Sequence, residues 1–196
     1  MSTPTRSTYH HGHLRPALID AARALLDAGG LEAVGLRETA RRVGVSATAT
    51  YRHFLDKDSL LAAVAAEGFR EFAKALSDSV QGGAPFSAMG KAYVEFALAH
   101  PGLFRLMFGP LIRDREKFPD LAEASDAAFA GLKGAARATG NVPETQVDAA
   151  AYAAWSMVHG LSRLILDGVL PPEHAADITD AILKAHGPAF AAYAGE

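Results

Sequence analysis

The chain contains no cysteine, so disulfides, thiolate metal sites and thiol redox switching are excluded. It has one tryptophan and no run of about 18 apolar residues that would read as a membrane-spanning helix. An overall basic charge is also missing: the formal net charge is −3, unlike a protein whose whole surface binds a polyanion. No phosphate loop, nucleophile elbow or paired-histidine zinc motif occurs, so the common signatures of nucleotide-dependent, hydrolytic and metallopeptidase chemistry are absent and no cofactor is expected. The N-terminal Thr, Ser, Pro and His residues lack the apolar segment of a signal peptide, and a cytoplasmic protein is the expectation. No apolar/polar alternation is long enough to demand a sheet, and no internal repeat is visible.

What is present is helical and unevenly charged. Nearly half of the 196 residues are apolar, enough for a sizeable core, and much of that fraction is alanine, which favours helix. Residues 1–60 carry eight Lys/Arg against six Asp/Glu, and residues 61–196 carry eleven against sixteen. A polyanion would therefore prefer the N-terminal part. Apolar spacing and Gly/Pro punctuation predict helices at His13–Ala28, Leu36–Val43, Ala47–Phe54, a long one from Asp56 to Val80, and then 86–99, 101–109, 118–139, 144–168 and 172–193. The expected fold is all-α with about nine helices, divided into a module at 1–60 and a larger one at 61–196, the boundary falling inside the long helix.

The informative stretch is Gly35–Leu61, GLRETARRVGVSATATYRHFLDKDSLL. Two short helices joined by a glycine turn make a helix-turn-helix, a unit that sets its second helix in the DNA major groove. Ala40, Val43 and Val45 form the apolar contact fixing their angle, and Leu55, Leu60 and Leu61 are expected to anchor the long helix behind. Ser46 is the expected cap of the second helix and is expected among its DNA-binding residues. The small residues Ala47-Thr48 allow close approach to base edges, and Thr48 offers a hydroxyl and a methyl. Tyr51, Arg52, His53 and Lys57 can all donate to phosphate oxygens, which sets docking register.

The run GVSATATYRHFLDKDSLL closely resembles the signature of the tetracycline-repressor (TetR) family, with Gly44, Val45, Ser46, Tyr51, His53, Phe54, Lys57 and Leu60 in register. Tyr9–Leu26 is similar to the first helix of one branch of that family. WSMVHGLSRLILDG, with Trp155, His159 and Gly160, resembles the branch carrying a Trp…His-Gly motif, and HPGLFRLMFGP fits it too. The resemblance implies an operator-binding transcriptional regulator, most simply a repressor released by a small molecule. It implies base-reading roles for Ala47 and Thr48, phosphate contacts for Tyr51, His53 and Lys57, and a base or phosphate contact for Arg37; Arg6 is a candidate for the minor groove. Gly35, Thr39 and Thr50 depart from the family pattern, and Thr50 is expected to be semi-buried.

The helix from Glu144 to Leu166 carries one apolar stripe (Val147, Ala151, Ala154, Val158, Leu161, Ile165) and a second beside it (Ala150, Ala153, Met157, Leu164). A helix apolar over so much of its circumference needs cover on two sides. The domain core can supply one and a second copy of the chain the other, so a homodimer through the helices at about 144–168 and 172–193 is expected. The resemblance further implies an effector cavity, for which Tyr93, Phe96, Phe104, Met107, Phe108, Trp155 and His159 mix apolar bulk with polar handles.

His10, His11 and His13 lie close enough to hold a divalent cation, although a phosphate contact or cap suits that position better, and no metal site is expected. Ser156 and Ser162 near His159 invite an esterase reading, but no third group orients the histidine, and the chain is not expected to be an enzyme.

Overall fold

The computed structural model describes the backbone of residues 13–192 and the side chains of residues 13–185. His10, His11 and Arg6 lie outside the described residues. Among those described there are nine α-helices and no strand, as the composition and spacing predicted. They are α1 (Leu14–Ala33), α2 (Leu36–Val43), α3 (Ala47–Tyr51), α4 (Lys57–Ser79), α5 (Phe86–Ala99), α6 (Pro101–Met107), α7 (Pro119–Ala138), α8 (Val147–Leu166) and α9 (Ala175–Ala192). No helix of the described residues is long and apolar enough to cross a membrane.

The helix boundaries follow from local chemistry. In α1 the backbone leaves helical geometry at Gly30 (φ 70°, ψ −168°), a conformation open to glycine, and a single turn follows before Val34. The helix expected to reach Phe54 ends at Tyr51, because the chain must unwind toward the extended Asp56 (φ −151°, ψ 178°) that opens α4. Asp56 and Ser59 form a capping box there: Ser59 N–H donates to Asp56 Oδ1 at 2.7 Å and Asp56 N–H to Ser59 Oγ at 3.2 Å. The helices expected from 144 and 172 each begin with a 3-10 turn, Glu144–Gln146 and Pro172–His174. Gln146 N–H bonds Pro143 O and His174 N–H bonds Pro171 O three residues back, the tight pattern of helix ends.

The long helix α4 is central and packs against α1, α5, α6 and α7; α5 and α7 in turn pack against α8, and α5 against α9. One continuous apolar core runs from Leu14 to Ala175. Leu60, Leu61, Val64 and Phe69 of α4 are buried in it with Leu18, Leu26, Leu103 and Phe104. Leu55 corrects an expectation: it is 85% exposed and anchors nothing, because it falls in the turn between α3 and Asp56, and Phe54, 2% exposed, takes the inward position instead. Charged links add to this packing on α1, where Arg15 meets Asp120 of α7 at 3.2 Å and Arg23 meets Glu71 of α4 at 3.5 Å and His100 at 3.2 Å.

Candidate nucleic-acid interface and ligand cavity

The turn between α2 and α3 is made by Gly44, whose left-handed backbone (φ 79°, ψ 28°) favours glycine. Ser46 follows as cap of α3, its hydroxyl accepting from Ala49 N–H at 3.2 Å. Thr39, Ala40 and Thr50 are buried between the two helices and the body, which turns the remaining faces outward. On that outer side the structure brings together Arg37, Ser46, Thr48, Tyr51, Arg52 and His53, all exposed, with Ala47 half-buried. A groove beside them lies between Glu32–Glu38 and Tyr51–Lys57 and is lined by Arg37, Tyr51, Leu55 and Lys57 among others. Lys57 stands at the first turn of α4, and its ammonium donates to Leu31 O at 2.7 Å. This lysine therefore closes the end of α1 onto the start of α4, a role the sequence did not reveal.

The larger module holds a cavity of about 1150 Å³ that is partly open to solvent. Of the seven residues expected at an effector site, Tyr93, Phe108, Trp155 and His159 line it. Phe96, Phe104 and Met107 are 7%, 0% and 1% exposed and are not on its wall; they pack in the core. Lining residues that the reading of the sequence missed include Phe69, Phe72 and Leu76 of α4, Phe86 and Met89 of α5, and Phe129 and Tyr152 of α7 and α8. The spacing of Phe69, Phe72 and Leu76 marks one face of α4, but only the packing of α7 and α8 makes that face a cavity wall.

A polar chain crosses the apolar lining. Trp155 Nε1–H donates to Tyr93 Oη at 3.0 Å, and Tyr93 Oη lies 2.8 Å from His159 Nδ1. Burial pushes the Tyr93 phenol well above its ordinary range, opposed in part by the Trp155 hydrogen bond. Burial, with a smaller contribution from the Arg163 charge, lowers the His159 pKa. Both shifts favour neutral groups. Rings surround the imidazole, with Phe108 edge-on at 4.9 Å and Phe104 at 5.3 Å between centroids. Of the two serines near it, Ser162 is buried and donates to Val158 O at 2.8 Å, and Ser156 is exposed. Neither is paired with His159 in any recorded hydrogen bond.

A capped, outward-facing short helix behind a glycine turn, carried on an all-helical body with a ligand-sized cavity, is the architecture of a helix-turn-helix protein. Comparison with known proteins narrows it. Residues 18–64 match the family model of bacterial regulatory proteins of the tetR family, and residues 86–186, more than half of the chain, match that of the tetracyclin repressor-like C-terminal domain. The HTH-type transcriptional repressor KstR of Mycolicibacterium smegmatis is 30% identical over 116 residues, 59% of this chain and 50% of KstR. The uncharacterised HTH-type transcriptional regulator YobS of Bacillus subtilis is 26% identical over 96 residues, 47% of this chain and 50% of YobS. The matched part of the chain thus spans half the length of each of these curated relatives. A Rhodococcus sp. RHA1 protein of unknown function with a solved structure superposes with a TM-score of 0.77 at 30% identity, over 92% of this chain and 96% of that one. The chain belongs to the TetR family.

Proposed function

We propose that the chain is a cytoplasmic repressor that binds operator DNA as a homodimer and is released when a small, largely apolar effector fills the cavity. The observation carrying this reading is α4. Its N-terminal end sets the cap Asp56 and then Lys57 beside Tyr51 of α3, and its second half supplies Phe69, Phe72 and Leu76 to the cavity wall. A ligand that prefers one setting of α4 shifts the spacing of the recognition helices, and so the population able to bind DNA. Repression is favoured because KstR is named a repressor. The chain acts by binding rather than catalysis.

Residues 1–60 form the DNA-binding part in this reading, and residues 61–196 the effector and dimer part. Ala47 and Thr48 meet base edges, with Arg37 at a base or phosphate. Tyr51, Arg52, His53 and Lys57 hold phosphates, and Ser46 fixes the helix that presents them. Tyr93, Phe108, Trp155 and His159 contact the effector, while Phe96, Phe104 and Met107 support the wall from behind. Dimerisation is supported by α8: Val147, Ala151, Ala154, Val158, Leu161 and Ile165 are buried, whereas Ala149, Ala153 and Leu164 on another face are exposed. A second copy laying its α8 and α9 there would place two recognition helices for half-sites about 34–36 Å apart, or a multiple of that.

The test is a gel-shift titration of the full chain against the DNA flanking its own gene, with random DNA as competitor. Selective, salt-sensitive binding at two protomers or a multiple per site supports the reading. No preference for that DNA, together with no enrichment from a randomised library, overturns it.

A further inference from the structure

The polar chain Trp155–Tyr93–His159 fixes more than the cavity's shape. An indole N–H can only donate, so Tyr93 Oη accepts from Trp155. The phenol proton then needs an acceptor, and in its buried setting an unmade hydrogen bond is costly. Among the described residues the acceptor recorded for it is His159 Nδ1. The imidazole therefore carries its own proton on Nε2. No described residue is recorded as a partner of that nitrogen, and His159 is a cavity-lining residue.

Charge narrows the ligand further. The charged side chains on the cavity wall, Arg115 and Asp126, pair with each other at 3.0 Å. No unpaired charge is left there to offset an ionised ligand, and burying an ion without a partner is unfavourable. The remaining lining is rich in ring faces. Phe129 lies 4.9 Å from Tyr152 and 5.8 Å from Trp155, and Trp155 lies 6.1 Å from Phe108.

We infer that the cavity takes an uncharged, ring-bearing, largely apolar molecule presenting one hydrogen-bond-accepting oxygen, such as a ketone carbonyl, to Nε2–H of His159. This rests on the reading of the cavity as the effector site. Trp155 and Tyr93 are positioning residues in this arrangement, since they act on the ligand by holding the imidazole proton on one nitrogen.

Three probes of similar size test it by equilibrium dialysis against the full chain: benzophenone, diphenylmethane and diphenylacetate. The ketone is expected to bind about three- to tenfold more tightly than the hydrocarbon, the ratio one net hydrogen bond supplies, and the carboxylate more weakly than the ketone. In His159→Phe the ketone and hydrocarbon should bind alike, with hydrocarbon affinity kept. Tyr93→Phe should shrink the ketone preference by releasing the tautomer. A ketone preference that survives His159→Phe, or none in the wild type, or tighter carboxylate binding, overturns the inference. Independently of any ligand, ¹⁵N NMR of the free protein near pH 7.5 should show the His159 proton on Nε2, and a proton on Nδ1 also overturns it. Failure of benzophenone and diphenylmethane alike to bind would instead strike at the cavity reading itself, and the inference falls with it.

Discussion

Thr50, one residue before the end of α3, has its side chain fully buried and its hydroxyl without a hydrogen-bond partner among the described residues. A buried hydroxyl left unpaired costs stability, and an isosteric apolar group does not. Thr50→Val should therefore raise the unfolding free energy by about 1 kcal/mol in a urea titration, without altering operator affinity. His159 gives a pH dependence with a definite sign. Its pKa is lowered in the fold by burial, so the unfolded chain binds the proton more readily. The resulting contribution to stability is complete above the ordinary histidine range near 6.5 and is lost as the pH falls through the depressed value. Thermal unfolding between pH 8 and pH 5 should show a smaller acid-side decline in His159→Gln than in the wild type. On the DNA surface, Lys57→Ala should weaken binding to all sequences and reduce the salt slope by about one unit, whereas Thr48→Ala should change the preference among operators. Equal effects of both on specific and random DNA would contradict that division.

At the scale of elements, the approach of α4 to α6 depends on one missing side chain. A Cβ at Gly68 would stand 2.8 Å from Leu103 and 2.9 Å from Met107 Sδ, and those two side chains are 0% and 1% exposed, so they must rearrange within the core. Gly68→Ala is expected to cost about 1–3 kcal/mol by forcing the helices apart, read as a lowered urea midpoint. Because α4 joins the DNA face to the cavity wall, the same variant should also bind operator less tightly per folded molecule. The capping box at the head of α4 makes a milder case. Asp56→Ala removes the acceptor for Ser59 N–H and should cost about 1 kcal/mol; normal stability in that variant would show that the cap adds nothing to the packing of Leu60 and Leu61.

For the whole molecule, α8 turns a partly apolar face to solvent. Ala149 and Ala153 are exposed there and Leu164 is 45% exposed. Ala153→Arg is expected to give a folded monomer by sedimentation and circular dichroism, with operator affinity lowered at least tenfold, because each half-site contact must then form alone. A variant that stays dimeric would move the interface elsewhere. The core beneath is continuous from α1 to the start of α9, and α1 is tied to α4 and α7 through Arg23 and Arg15. The helices that carry α2 and α3 therefore do not hang from a linker but share their packing with the helices around the cavity, a physical condition for the proposed coupling between them.

The sequence by itself determined the elements whose signals are local. Helical spacing and alanine content specified an all-α chain, Gly44 and Ser46 marked the turn and cap of the recognition helix, and Asp56 marked the start of α4. Those signals work because a cap or a left-handed turn is settled by a few neighbouring residues. Tertiary structure decided what depends on which faces meet. It set Leu55 in solvent and Phe54 in the core, and it gave Lys57 the Leu31 carbonyl. It made cavity walls of Tyr93, Phe108, Trp155 and His159 together with Phe69, Phe72 and Phe129, while Phe96, Phe104 and Met107, equally apolar in sequence, were packed behind them. An apolar stripe states that a face will be buried; whether it is buried against protein or around a space for a ligand is fixed only by how the neighbouring helices lie.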